Sequence, residues 1–543
     1  MMIRNGNDVA VVMQSPRGLT ASLRAQAVQS KIRNQKSKMS SCRSGLVLVA
    51  ILIIVALAAM VSASLLFSMR AEMSAASASE KGNQAYATAM SGVRRAMMLL
   101  QTDPQNMENW YNNPDALQNQ FVVNDGATKW YFTIYAENSA DHKAVRYGLD
   151  DEAGKININT ATPAMLLRLP NMTSELADCL IDYRDPDNEA RSEGAEQSYY
   201  TSLANPYMIK NGPLGTMEEL LLVKGFNASI VFGEDANRNG ILDANEDDGD
   251  TTFPPDNSDG QLDTGLCGVA TAISYERSVD SQGGALINLN GNPAGLSKAG
   301  LSAQTIQFVT LYRAEKNAFK HPSELLEMRY QLKQDHPAGG SGGSGGGTQP
   351  GGRGGKGGSG AGTQPGDNTG SDGSGASTQP GGNGGGSTVP EGSRAGDWIE
   401  SGVTAEQLPA VMDKLMVRPP VGLVNVNTAS AQVLALLPGF DAGLAQQIVD
   451  ARASVDATLK ATTAWLVTQN VVDADRFKLI APALTARSLQ FRIHCVGFGV
   501  PNGRFRVIEA VVDLAGETPR ISYLRDVTRL GLPFAMNVEQ TQP

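Results

Sequence analysis

Hydrophobic positions fall into three different patterns along this chain. From Gly45 to Phe67 (GLVLVAILIIVALAAMVSASLLF) they are almost continuous, and no charge occurs between Arg43 and Arg70. At about 1.5 Å of rise per residue such a run crosses a bilayer core of about 30 Å. Arg4, Arg17, Arg24, Lys31, Arg33, Lys36, Lys38 and Arg43 precede it against the single acid Asp8. That asymmetry predicts a cytoplasmic N-terminus and a translocated body. The run exceeds the apolar part of a signal peptide, so a retained single span is expected. Met69 to Gln101 contains no Pro and is rich in Ala, Met, Glu and Leu before the stop at Asp103-Pro104. One helix is therefore expected over 46–102.

The second pattern has period two. Lys129–Glu137 (KWYFTIYAE) and Lys143–Leu149 read as strands around a turn at Asn138–Asp141. Far away in sequence, Leu489, Phe491, Ile493 and Cys495 alternate with polar residues, and Arg504–Leu514 and Ile521–Val527 follow as further strands. A lone hairpin is marginal in water, so the two groups are expected to share one antiparallel sheet packed on the amphipathic half of the helix. Segments 103–153 and 487–543 then form one discontinuous domain, and the fold class is α+β with a large, mainly helical insertion.

The third pattern is a repeat with helical spacing inside that insertion. Ile156-Asn157-Ile158-Asn159-Thr160-Ala161 matches Val424-Asn425-Val426-Asn427-Thr428-Ala429, and the register continues without a gap through Leu166 and Leu434, Leu169-Pro170 and Leu437-Pro438, and Arg184 and Arg452. Each copy reads as a helix-hairpin-helix unit whose first helix is capped at Asn-Thr and ends near the Pro. A third echo begins at Leu286-Ile287-Asn288-Leu289-Asn290 and continues through Phe308–Arg313. Between 154–336 and 397–486 lies a Gly/Ser-rich segment, 337–396, holding 26 of the chain's 58 glycines and a Thr-Gln-Pro motif at Thr348, Thr363 and Thr378. It reads as a flexible tether separating the first copy from the second, with a span of about 40–45 Å.

Helix-hairpin-helix units often hold DNA phosphates on exposed backbone N–H groups of a Gly-containing hairpin. The hairpins here are Asn171-Met172-Thr173, without Gly, and Gly439-Phe440-Asp441, which sets a carboxylate where phosphate would lie. The chain carries a net charge of −10 despite its basic leader. Nucleic-acid binding is therefore not expected. The insertion also contains Asp235, Asn237, Asn239, Gly240, Ile241, Asp243 and Glu246, which satisfy the calcium-loop pattern D-x-[DN]-x-[DN]-G-x₅-E. Calcium takes six to eight hard oxygens, supplied by alternate side chains, the Ile241 carbonyl and a bidentate Glu. Asp256, Asp259 and Asp263 lack the last acid and are read either as an auxiliary metal cluster or as an ordinary turn. No Gly-x-Ser-x-Gly, His-Glu-x-x-His or phosphate-binding loop occurs, the four His are scattered, and an enzyme is not expected. Among Cys179, Cys267 and Cys495 at most one disulfide is possible, and Cys42 lies in the leader.

The basic leader, the long helix and Gly45 followed by Leu46 together resemble type IV pilins and pseudopilins, which a prepilin peptidase cleaves after such a Gly. That resemblance implies a leader over 1–45. The fifth mature position, usually Glu, is Ala50 here. Lack of that acid, a split sheet and a helical insertion with non-DNA-binding repeats resemble the K-type minor pseudopilin of type II secretion. The resemblance implies an inner-membrane subunit with a periplasmic body, a pilin-like sheet and bound calcium. Implied partners are the I- and J-type minor pseudopilins, the major pseudopilin and the prepilin peptidase, with a role in starting and capping the pseudopilus. Two rivals are a membrane-anchored DNA receptor for competence and a minor pilin of a type IV pilus. N-terminal sequencing of the mature protein is expected to begin at Leu46, and a start at Met1 or near Ser64 would contradict the pilin resemblance.

Overall fold

The structure, a computed structural model, describes residues 44–104, 106–138, 141–336 and 393–534. The leader up to Arg43, residues 337–392 and the last nine residues, with the expectations placed on them, lie outside the described residues. Gly45 and Leu46 fall in the first turn of α1 (Ser44–Thr102), which is unbroken because it holds no Pro and only two Gly after position 45, Gly82 and Gly92, both buried. The described residues contain one helix long and apolar enough to cross a membrane. Its residues up to Ser77 form a unit of their own.

From Ala78 onward the helix belongs to the folded body. Ala85, Ala89, Val93, Ala96 and Leu100 are fully buried at three- and four-residue spacing, which places them on one face. Opposite them stand Phe132, Ile134, Phe491, Ile493, Cys495, Ile508 and Ala510 from the sheet. Close approach demands missing side chains on both sides. A Cβ on Gly497 would lie 2.4 Å from the Ala85 carbonyl oxygen and the Ala89 nitrogen, and one on Gly92 would lie 2.4 Å from Cys495 Sγ.

The sheet has the order β1 (Gln120–Asn124), β2 (Lys129–Glu137), β5 (Gln490–Val500), β6 (Phe505–Asp513) and β7 (Arg520–Asp526), with β3 (Val145–Arg146) on β2 and β4 (Asp150–Asp151) on β5. All its pairs are antiparallel. The joint between the two distant groups runs from His494 opposite Tyr135 to Val500 opposite Lys129. Phe491, Ile493 and Cys495 face the helix, while Val496 and Phe498 meet Tyr131 and Tyr135 on the other face. Both outer strands carry a register shift, in β1 between Phe121 and Val123 and beside β7 between Val511 and Val512. Such bulges blunt exposed edges against further pairing. Of the expected strand Lys143–Leu149, only Val145–Arg146 pairs.

The insertion is built from three copies of one unit. In each, a strand containing Asn pairs in parallel with a strand that arrives later: Ile156–Asn157 with Ala270–Thr271, Ile287–Asn288 with Leu415–Met416, and Val424–Asn425 with Leu484–Thr485. The next residue extends each ladder, with the N–H of Ile158, Leu289 and Val426 donating to the carbonyl of Thr271, Met416 and Thr485. The side-chain oxygen of Asn157, Asn288 and Asn425 accepts from the N–H two residues on, at 2.8, 2.8 and 2.9 Å. These asparagines shape the strand exit. The helix caps are instead Thr162 for Pro163–Leu166 and Ser430 for Ala431–Ala435, which corrects the expected Asn-Thr caps. Arg184 and Arg452 each hold the matching carbonyl, Ala161 and Ala429, at 2.6 Å. Arg313 grips the Asn290 carbonyl in the third.

The first and second copies share a hydrophobic core, and the third has its own. Arg168 ties the first two by donating to the Leu437 and Ala435 carbonyls at 2.7 and 2.9 Å. Residues 337–392 do not separate the first copy from the second, as the composition suggested. They lie within the third copy, between strands Arg329–Gln331 and Trp398–Glu400, which pair antiparallel. The ends are fastened further out, where His336 N donates to the Ser393 carbonyl at 2.8 Å. The segment beginning at 397 accordingly opens with part of the third copy rather than with the second.

Asp151 joins the sheet to the second copy. Its buried carboxylate accepts from Ser488 Oγ and Thr428 Oγ1 at 2.5 Å, Asn425 Nδ2 at 3.1 Å and the Ala153 N–H at 2.9 Å. Burial pushes this carboxyl up to about 6, with the hydrogen bonds opposing the shift. A carboxyl raised on folding binds its proton better in the native state, so its charge penalty is present above about pH 6 and is relieved as pH falls toward its ordinary value of 3.8. Wild type is expected to gain stability relative to Asp151→Asn between pH 7 and pH 4, by up to about 3 kcal/mol at about 1.4 kcal/mol per unit. Denaturation midpoints across that range check this, and parallel pH profiles would refute it.

Candidate metal centres

The acidic stretch sits inside the first copy. Helix Ala228–Phe232 ends at Gly233, whose φ of 64° turns the chain, and a 3₁₀ turn at Ala244–Glu246 closes the loop. Between them Asp235 accepts from the N–H groups of Asn239 and Gly240, both at 3.1 Å, around Gly240 with φ 69°. Glu246 reaches back to the N–H groups of Ala236 and Asp243, also at 3.1 Å. Asn237 and Asn239 accept from the backbone two residues on, and both direct their Nδ2 at Asp243 Oδ2, at 2.7 and 2.9 Å. Ile241 is the residue whose N–H donates to Asn239 Oδ1.

All the motif residues are therefore brought into one turn, with Asp235, Asn239 and Glu246 buried. Burial pushes Asp235 up to about 6 and Glu246 up to about 7, the neighbouring carboxylates adding to the second shift. Oxygen donors crowded where their own charge is disfavoured suit a hard divalent cation. The carboxylate oxygens of Asp235, Asp243 and Glu246 do not all lie within 4.8 Å of one another, however, and the amides present nitrogen to Asp243.

Asp256, Asp259 and Asp263 serve as turn formers. Asp256 accepts from the N–H groups of Asp248, Gly249 and Ser258, Asp259 from Gln261, and Asp263 from Gly265. Their carboxylates accept from backbone N–H groups, as acids in turns commonly do.

Among the described residues, the group of carboxylates that does converge is Asp185, Asp187 and Glu196, with one oxygen from each within 4.8 Å of the others. Helix Ser174–Arg184 builds it. Asp178 takes Arg191 Nε at 2.7 Å and the Glu193 N–H at 3.2 Å, and Asp182 takes the Arg191 N–H at 3.1 Å, so the following loop is folded back on the helix. Gly194 is required there, since a Cβ would lie 1.8 Å from Asp182 Oδ2. The fold-back buries Glu196 to 4% exposure, and neither of its oxygens, nor Asp185 Oδ1, has a hydrogen-bond partner. Burial, then neighbouring acids, raise the Glu196 carboxyl. An orphaned buried carboxylate beside two others is costly without a cation, so this trio could hold a metal ion.

None of these three acids is among the metal ligands expected from the sequence. The available signal was Asp185-x-Asp187 immediately after a helix, but Glu196 becomes a partner only through the fold-back. The three described cysteines are free thiols. At the second hairpin, Asp441 caps helix Ala442–Arg452 and pairs with Arg476 at 2.8 Å, occupying the N-terminus that a phosphate would need.

Two family models, both described as type II secretion system protein K, match residues 155–232 and 424–478. These are the first copy, up to the acidic loop, and the second. No curated protein matches the chain significantly. Among solved structures, the chain is similar to the GspK-GspI-GspJ complex from the enterotoxigenic Escherichia coli type 2 secretion system, with 12% identity and a TM-score of 0.30, covering 84% of this chain and 98% of that one.

The trio makes a signed prediction. Glu196→Gln removes an unpartnered buried charge, so under chelator the variant is expected to melt above wild type. With excess calcium the order reverses, because wild type gains about 2.7 kcal/mol when the free ion is 100 times its dissociation constant. Thermal melts of both proteins with chelator and with calcium measure this, and calcium-insensitive melts for wild type would dismiss the site.

Proposed function

We propose, from the premise that this chain is a member of the type II secretion system protein K family and a non-catalytic minor pseudopilin, that it starts and caps the periplasmic pseudopilus. The observation carrying the proposal is the pair of family matches, which fall on two repeat copies held between the halves of one sheet. Helix α1 is long and apolar enough to be the single inner-membrane anchor, and the basic leader favours a cytoplasmic N-terminus with the body in the periplasm. Ala50 at the fifth mature position supports a terminal place, because the usual acid needs a neighbouring amine beyond it in the membrane.

The helix pairs of the insertion act in this reading as helix-hairpin-helix-like packing units rather than as a DNA grip. Calcium is the cation assigned to Asp185, Asp187 and Glu196 and to the loop of Asp235, Asn237, Asn239, Ile241, Asp243 and Glu246. Its part is to neutralise buried acids and fasten long loops. Partners are the I- and J-type minor pseudopilins, the major pseudopilin below them and the prepilin peptidase that processes Gly45.

Two measurements test this reading. Co-expressed with the I- and J-type proteins of its own secretion system, the chain should purify in a complex with both, and a chain that binds neither but shifts DNA at low salt would favour the receptor alternative. In cells, Ala50→Glu should give secretion no better than wild type, since a carboxylate within the bilayer costs about 2.5–3.5 kcal/mol unless a neighbour supplies a positive amine. A clear gain would place the subunit along the filament instead.

A further inference from the structure

A cavity of about 120 Å³ opens where the third copy meets the second. Its apolar lining includes Leu286, Met412, Leu415, Leu423 and Leu484. Pro322, Pro419, Pro420 and Pro482 stand in its walls. Proline fixes φ and has no N–H, so these walls are stiff and their backbone offers acceptors without donors at those positions. Val421, 61% exposed, extends the apolar surface at the mouth.

Polar groups around this cavity are unequally satisfied. Lys320 and Arg418 are exposed lining residues, and neither side chain makes a hydrogen bond or an ion pair with a described residue. Arg487, the third lining cation, is committed to the carboxylate of Asp413 and to the Val279 carbonyl. In the wall, Glu276 Oε2 and Thr463 Oγ1 are buried without a hydrogen-bond partner, Thr463 being 4% exposed. The other carboxylate oxygen of Glu276 lies 3.9 Å from the Arg487 guanidinium, whose positive charge offsets its repulsion of an incoming anion. His321 is pushed down to about 4 by burial and by nearby Arg418, so it is neutral at physiological pH.

We propose that this cavity binds the C-terminal residue of a polypeptide, with an apolar side chain against the leucine and methionine lining and the terminal carboxylate at Lys320 and Arg418. A chain end combines the three features this cavity matches: an anion, an adjacent apolar side chain and an N–H donor for a wall in which Glu276 Oε2 and Thr463 Oγ1 lack hydrogen-bond partners. A free inorganic anion would use only the cations, and an uncharged apolar segment would leave both cations unmatched. The guanidinium suits a carboxylate because its planar donors meet both oxygens.

The test uses the full-length protein in detergent with calcium present and follows the anisotropy of fluorescein-labelled Gly-Gly-Leu. Saturable binding of the free acid is expected, together with loss of binding for its C-terminal amide. Arg418→Gln and Lys320→Gln lie on the exposed rim and should leave thermal melts unchanged. Each is expected to weaken the acid by about tenfold, the size of one charge-assisted hydrogen bond. Equal binding of acid and amide, or no saturable binding at millimolar protein-accessible concentrations, would overturn the proposal. So would equally strong binding of labelled Gly-Asp-Leu-amide, which carries its carboxylate on a side chain and has no free terminus. Inorganic phosphate as competitor is expected to displace the peptide only weakly, and complete displacement at equal concentration would reduce the cavity to an anion site.

Discussion

The pairing of β5 with β2 is the constraint on which the rest of the body depends. It brings Lys129–Glu137 against Gln490–Val500, so that every residue between them is enclosed in a loop whose ends are fixed by one antiparallel ladder. Closing so long a loop is entropically unfavourable, although the cost grows only with the logarithm of length. Helix α1 helps to offset it, because Ala89, Val93, Ala96 and Leu100 cover the seam between the two groups of strands. The approach there is limited by backbone, as Gly497 shows, and the seam therefore tolerates little added volume. Arg492, half-buried in β5 and ion-paired with Glu152 and Glu509, locks the same seam from the polar side.

An enclosed insertion must be shaped by its own contacts, and the repeated unit supplies them. A parallel ladder of two residues is too short to be stable alone, so each copy adds the asparagine that holds the strand exit and an arginine that satisfies a carbonyl of the following turn. Long excursions fall within copies whose ends are already fastened. The acidic loop interrupts the first copy between Phe232 and Gly265, and residues 337–392 interrupt the third between paired strands. Length can then be added at little cost to the closed ladder, as loop-closure entropy requires.

Much of this was legible in the sequence because it is periodic. The helix of 46–102, the strands around Trp130 and Ile493, and the match of Ile156–Ala161 with Val424–Ala429 are local patterns of side-chain spacing. What escaped was set by partners distant in sequence. Leu415–Met416 gives no strand signal of its own and pairs only because Ile287–Asn288 lies beside it. The placement of the Gly-rich segment could not be read either, since composition marks where a linker is and not whether its ends meet. Glu196 is the same case in chemistry: it becomes a ligand candidate when Asp178 and Asp182 fold its loop back, and both of those acids look like ordinary helix surface in the sequence.

The two acidic centres differ in what they ask of a cation. In the Asp235–Glu246 loop, backbone N–H groups already occupy both oxygens of Asp235 and of Glu246, and side-chain amides occupy Asp243, so the turn closes largely through its own hydrogen bonds. At Glu196 neither oxygen has a hydrogen-bond partner of good geometry, and a buried polar atom without a partner forfeits more free energy than a typical hydrogen bond contributes. The fold-back loop is also pinned from the far side, by Arg191 on Asp178. Metal dependence should therefore be concentrated at the Asp185, Asp187 and Glu196 trio, the centre with the less conspicuous sequence pattern, because hydrogen bonding leaves its charge unmet.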